Sequence, residues 1–83
     1  GQARVWASKL LETTPGVEQR IRRMYEQAFS RPPCRTELKN ATDFLERQAR
    51  ELRIKPEDIA KNVDLWKDLC HVMMNVKEFI YLK

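Results

Sequence analysis

The segment spanning residues 65–82, LWKDLCHVMMNVKEFIYL, most constrains what this chain can fold into. On a helix of 3.6 residues per turn, its apolar side chains form one arc of roughly 220°, interrupted only by Lys77, which is about twice the width of the apolar stripe on a surface helix. The remaining polar stripe consists of Asp64, Asp68, His71, Asn75 and Glu78. Because so wide an arc must be covered from two or three sides, we expect the other segments to pack around a largely buried C-terminal helix.

Three earlier segments also show apolar residues at helical spacing: residues 2–12, residues 17–30 and, approximately, residues 35–53. The spacing places Arg20, Arg22 and Arg23 mostly towards water. Trp6 and Trp66 are expected to be largely buried.

Prolines and capping residues mark the predicted helix ends. Thr14 is a good N-cap for the second helix, with Pro15 in its first turn. Pro32 and Pro33 stop that helix, because the residue before a proline avoids the helical conformation. Either Cys34 or Thr36 can cap the third helix. A short helical turn is expected from Pro56 to about Lys61, and Asp64 is the expected cap of the last helix.

The composition agrees with an all-α domain. The chain has 83 residues, of which 42% are apolar and 34% are charged, which is typical of a globular protein and not of a disordered one. Strand-forming runs are few. The sequence predicts a small four-helix bundle-like domain plus one short extra helical turn, with residues 1–83 forming a single domain. No apolar run approaches the ~20 residues of a membrane span, so none is expected in this segment.

Two stretches have an order and spacing that is specific when they are taken together. The first contains RRMY, AFSRPP, EL and FL between residues 22 and 45, and the second contains DLCHV, N, EF and Y between residues 68 and 81. In this order they resemble the C-terminal part of a planctomycete-type domain of unknown function. Proteins with this domain often also carry a planctomycete-type cytochrome c domain near the N-terminus.

The resemblance implies a cellular location and a partner for this chain, but it implies no catalytic activity. It implies that the chain is the C-terminal fragment of a larger, exported protein, either periplasmic or at the cell surface. The expected partners are then the upstream domains of the same parent protein. The residues themselves do not indicate a compartment, since two cysteines at this spacing neither require nor exclude a disulfide.

No complete catalytic, cofactor or metal site is found in the sequence. Covalent haem attachment needs Cys-x-x-Cys-His, and Lys67 occupies the position of the first cysteine before Cys70 and His71. Zinc needs three or four ligands, and His71 is the single histidine. A nucleophilic role for Cys34 or Cys70 would need a base held beside the thiol. We therefore expect no enzyme activity, no cofactor and no metal site.

The polar stripe of the last helix is the candidate structural or interaction seam, together with the proline turn. His71 or Asn75 is placed to donate to carbonyls of the turn, and Asp68 or Glu78 to pair with Arg31. The alternative is that the stripe is simply solvated. The seam comprises Arg31, Pro32, Pro33, Asp68, His71, Asn75 and Glu78.

The sequence thus favours a non-catalytic helical structural or interaction domain that closes a larger protein. One alternative is a part in an electron-transfer or enzymatic assembly whose site lies mainly upstream, with His71 and Asn75 contributing. The other is a nucleic-acid-binding module with a basic face, which interspersed acidic residues make less favourable. That face would comprise Arg20, Arg23, Arg47, Arg50, Arg53 and Lys55.

Overall fold

The computed structural model describes the backbone of residues 1–81 and the side chains of residues 1–76. It contains four α-helices and one short 3₁₀ helix, and no strand occurs in the described backbone. The helices are α1 (Gln2–Thr13), α2 (Val17–Phe29), α3 (Arg35–Glu51), the 3₁₀ helix (Pro56–Asp58) and α4 (Val63–Tyr81). The predicted all-α bundle of four helices with one extra turn is confirmed.

The buried face of α4 is the centre of the packing. Helix α4 contacts α1, α2 and α3. Its residues Leu65, Trp66, Leu69, Cys70 and Met73 are all buried. Burying one large apolar side chain contributes about 1.5–3 kcal/mol, so this face is a main source of the domain's stability. The neighbouring helices cover it with Ala3, Ala7, Leu10, Ile21, Met24, Ala28, Ala41, Leu45 and Ala49.

Two helix starts differ from the sequence predictions. Helix α2 begins at Val17 with Gly16 as its N-cap, and not after Thr14. Helix α4 is capped by Asn62 and not by Asp64: the Asn62 side-chain oxygen accepts the backbone N–H of Asp64 at 3.1 Å and that of Leu65 at 3.2 Å. Asparagine is as good an N-cap as aspartate, and here it lies one residue outside the helix, where a cap belongs.

Arg20 is the largest departure from the sequence prediction, because it is only 2% exposed. Its Nε donates to the Thr14 carbonyl at 2.7 Å, and its two terminal nitrogens donate to the carbonyls of Ala60 at 2.8 Å and Pro15 at 3.2 Å. The guanidinium lies over the Trp66 ring, 4.5 Å from its centroid. Arg20 therefore joins the α1–α2 loop to the segment before α4.

These contacts also explain why the second helix starts late. The carbonyls of Thr14 and Pro15 face Arg20, so this stretch stays extended until Gly16. The Trp66 indole N–H donates to the Ile59 carbonyl at 2.9 Å, which fixes the ring beneath the guanidinium. Burial lowers the pKa of Arg20, yet arginine stays protonated in proteins, so its charge is stabilised by carbonyl dipoles and an aromatic face.

Trp6 is less buried than the sequence suggested. The buried face of α1 consists of Ala3, Ala7 and Leu10, and Trp6 lies at the edge of that face, where it is half-buried. Its indole N–H donates to the side-chain oxygen of Gln27 on α2 at 2.6 Å. A tryptophan at such an edge keeps its polar tip near water while its ring covers the core.

We expect Arg20→Met to destabilise the domain by about 2–4 kcal/mol, because it leaves three buried or partly buried carbonyls without a donor. Urea denaturation followed by tryptophan fluorescence measures this free energy. Arg23→Met on the same helix is the matched control, since Arg23 is exposed, and its effect should stay within about 0.5 kcal/mol. Equal effects of the two substitutions would contradict the structural role of Arg20.

Candidate functional site

The polar side of α4 is mostly solvated where the structure describes it. His71 and Asn75 are exposed. Asp68 is half-buried, and its carboxylate accepts from the side-chain amide of Gln48 on α3 at 3.4 Å. The side chain of Glu78 lies outside the described residues. The described part of the seam therefore does not join His71 or Asn75 to the proline turn.

Among the described side chains, Arg31 pairs with a nearby residue and not with Asp68. Its two terminal nitrogens donate to the two carboxylate oxygens of Glu37 at 2.7 and 2.8 Å, and one of them also donates to the Pro32 carbonyl at 3.1 Å. The expected partners were Asp68 or Glu78. Glu37 is only six residues from Arg31, so holding the pair together costs little chain entropy.

The start of α3 places Glu37 at the turn. Of the two caps left open by the sequence, Cys34 is the one found, and Glu37 is the third residue of the helix. The Glu37 carboxylate accepts the Cys34 backbone N–H at 3.0 Å, which closes a capping box. A cap residue followed three positions later by a glutamate is the capping-box spacing, so the positions of Cys34 and Glu37 in the sequence could have revealed this contact.

The Arg31–Glu37 pair changes the ionisation of Glu37. The Arg31 hydrogen bond first, and the Cys34 N–H second, lower the pKa of Glu37 from 4.5 to about 2. Arg31 also lies 5.8 Å from the ring centroids of both Tyr25 and Phe29. The proline turn is therefore fixed by an ion pair on one side and by two aromatic rings on the other.

An apolar groove opens beside this turn, between α2, α3 and α4. Its volume is about 260 Å³. The wall formed by α4 includes Val72 and Val76, which are 42% and 44% exposed. We call this surface the apolar groove; it is lined by Tyr25, Phe29, Arg31, Glu37, Asn40, Ala41, Phe44, Leu69, Val72, Met73 and Val76.

The groove shows that the apolar arc of α4 is covered only in part. Val72 and Val76 belong to the wide apolar arc that was expected to be covered. Helices α1, α2 and α3 cover Leu65, Leu69 and Met73 but leave this edge open. Arg31 of the proline turn and the apolar edge of α4 line the same groove.

The predicted basic face loses one of its members. Arg20 is buried and points into the core, so it is not available to a nucleic acid. The other five members, Arg23, Arg47, Arg50, Arg53 and Lys55, are exposed. Acidic residues are interspersed among them in the sequence, which is not the one-sign pattern of a nucleic-acid footprint.

The two thiols have different surroundings. Cys34 is exposed at the start of α3, and Cys70 is buried in the core. Burial raises the pKa of Cys70 to about 12, so its thiolate population at neutral pH is negligible. Cys70 therefore packs as a small apolar side chain and has no activated form.

We expect the stability contributed by Glu37 to depend on pH. The pKa of Glu37 is lower in the folded state, so this contribution is fully present above the unfolded value of 4.5 and is lost as the pH falls towards about 2. Glu37→Gln should lower the urea midpoint at neutral pH, and its deficit relative to wild type should shrink between about pH 5 and about pH 2. Glu46→Gln, on the same helix and exposed, is the control and should show no such convergence. A deficit that is constant with pH would refute the ion-pair assignment.

We expect a maleimide at mildly alkaline pH to modify Cys34 rapidly and Cys70 only after unfolding, since exposure and thiolate population set the rate. Mass spectrometry of the folded protein should show a single adduct, and of the denatured protein two. Cys34→Ser should abolish modification of the folded chain. Rapid modification of that variant while it remains folded would show that Cys70 is accessible.

Neither a metal site nor a membrane-spanning helix is found in the described part of the chain. Among the described side chains, no group of three or more His, Cys, Asp or Glu residues lies close enough to hold a metal ion. No helix in the described part combines the length and apolar character needed to cross a membrane. Comparisons with protein-family models, curated proteins and solved structures found no match to this chain. The apolar groove is therefore the candidate functional site in the described part of the chain.

Proposed function

We propose that this chain is a non-catalytic helical interaction domain that packs against the rest of a larger protein. The observation that carries the proposal is the apolar groove. Its α4 wall exposes Val72 and Val76, whereas Leu65, Leu69 and Met73 of the same helix are buried. A concave apolar surface of this kind is what one helix offers to the apolar face of another.

The charges at the groove favour an uncharged occupant. Arg31 and Glu37 both line it, and they neutralise each other through two short hydrogen bonds. Asn40 adds a neutral polar group. The groove therefore offers no net charge to steer a charged ligand, and the contact must come from aliphatic or aromatic side chains set between Val72, Val76 and Phe44.

The size of the groove favours an occupant that is covalently linked to the domain. Of the residues whose side chains the structure describes, eleven line the groove. A stable interface between separate proteins uses about 20–30 residues on each side, so a free partner or a second copy would be held weakly here. A segment of the same polypeptide has an effective concentration on the order of millimolar and needs far less contact area. The sequence resemblance to the end of a planctomycete-type domain supports an upstream segment of such a parent protein as the occupant.

We expect Val76→Cys, in a Cys34→Ser background, to react with a maleimide at least about tenfold more slowly in the parent polypeptide than in this domain alone, because a docked segment covers Val76. Labelling rates measured by mass spectrometry test this. Val5→Cys is the matched control: Val5 is 60% exposed on α1, outside the groove, and should react equally in both proteins.

Two results would contradict the proposal. One is equal labelling of Val76→Cys in the domain and in the parent polypeptide. The other is protection of Val76→Cys in the isolated domain that appears only as its concentration rises, since this would identify a second copy as the occupant. Circular dichroism on each variant shows whether the helical fold has been kept.

A further inference from the structure

A second concave surface lies on another part of the domain, between the end of α3, the 3₁₀ helix and the start of α4. Its volume is about 380 Å³, and it opens widely to solvent. We call it the basic pocket; it is lined by Arg53, Ile54, Lys55, Asp58, Lys61 and Asn62. None of these residues lines the apolar groove.

The basic pocket carries an excess of positive charge. Arg53, Lys55 and Lys61 are exposed, and none of them forms an ion pair with any residue whose side chain the structure describes. Asp58 is the one acidic residue in its lining. Three cations and one carboxylate leave a local charge of about +2, which matches a doubly charged anion.

The backbone that carries these cations is held by hydrogen bonds. Arg53 has a left-handed conformation with φ of 59°, and Ile54 N–H donates to the Ala49 carbonyl at 2.7 Å. Ile54 packs against the hydrophobic core. The Asp58 N–H donates to the Lys55 carbonyl at 2.9 Å, and the Lys61 N–H to the Asp58 carbonyl at 3.1 Å. The three cationic residues therefore lie on a loop whose backbone is held by its own hydrogen bonds.

Asn62 adds a neutral donor to the same pocket. Its side-chain oxygen is occupied by the two N–H groups at the start of α4. This fixes the orientation of the amide, and the NH₂ group of Asn62 makes no hydrogen bond to any described residue. The lining therefore combines a guanidinium, two ammonium groups and an amide N–H, all of which are donors suited to tetrahedral oxyanions.

We propose that the basic pocket binds a single dianionic oxyanion group, a phosphate or sulfate, either free or as an ester. Arg53 supplies paired donors, Lys55 and Lys61 supply point charges, and Asn62 supplies a neutral donor. A long polyanion is the poorer fit, because Glu46 and Glu51 precede the pocket residues in sequence, Glu57 lies among them, and all three interrupt a continuous basic track. The proposal does not depend on the apolar groove.

The test is a titration of the isotope-labelled domain with inorganic phosphate, and separately with sulfate, at constant ionic strength maintained by chloride. Amide NMR should show saturable shifts confined to the segment from Arg53 to Asn62. Saturation by both anions identifies a general dianion site, and saturation by one identifies which ester class to pursue.

Three substitutions in the pocket and one control outside it distinguish binding at the pocket from unspecific electrostatic attraction. Arg53→Gly keeps the left-handed backbone without the guanidinium and should weaken binding about threefold to tenfold, as should Lys61→Gln. Asp58→Asn should strengthen binding about threefold, since it removes the opposing carboxylate. Arg47→Gln, an exposed cation outside the pocket, should leave the affinity unchanged.

Shifts that rise linearly without saturation, or that appear equally at Arg47 and other exposed cations, would overturn the proposal. So would an affinity that Asp58→Asn leaves unchanged, because that carboxylate lines the pocket. The variants are compared only after their amide spectra confirm the wild-type fold.

Discussion

The guanidinium of Arg20 over the indole of Trp66 is the contact on which the arrangement of the helices depends. Its three donated hydrogen bonds go to Thr14, Pro15 and Ala60. The carbonyls of Thr14 and Pro15 lie in the α1–α2 loop, and the carbonyl of Ala60 lies in the segment that leads into α4. One side chain therefore fixes the positions at which two helices enter the bundle, and it does so against the central face of the last helix.

A second local unit sets the opposite end of α2. Ser30 ends that helix in a left-handed conformation, with φ of 58°. The chain then passes through the two prolines into the Cys34 cap, and Glu37 reaches back to both Cys34 and Arg31. The charge of Arg31 is thus paired with Glu37 of α3. The neighbouring edge of α4 carries the exposed Val72 and Val76, and this edge forms one wall of the apolar groove.

The sequence predicted the helices well because their apolar spacing is a local property. It predicted α4 as the centre of the bundle for the same reason, since an arc containing Leu65, Leu69 and Met73 has to be enclosed somewhere. It did not predict the burial of Arg20, because arginine on a helix surface is normally solvated and its partner at Ala60 is forty residues away. A periodicity reports which face of a helix is apolar, whereas the partners of a buried cation depend on how distant loops meet.

The candidate site was only partly predictable, and for a related reason. The sequence analysis assigned a contact with the proline turn to His71 and Asn75, which are exposed. Arg31 of that turn instead lines the apolar groove, whose α4 wall includes Val72 and Val76. Polar residues are few on so apolar a helix, which made the polar stripe the obvious candidate for a contact. Water nevertheless satisfies polar groups, so the stripe needs no protein partner. Exposed valines have no such alternative, and a contact with another apolar face is the one way to remove them from water.

The width of the apolar arc on α4 therefore bears both on how the bundle packs and on which surface is left for the proposed contact. Three neighbouring helices can enclose only part of an arc of roughly 220°, because each packs against one limited sector of the helix surface. The uncovered sector is too small to hold a separate protein firmly and too apolar to be a favourable water-facing surface. The occupant we propose, a segment of the same polypeptide, meets both constraints, since linkage supplies the concentration that the contact area does not.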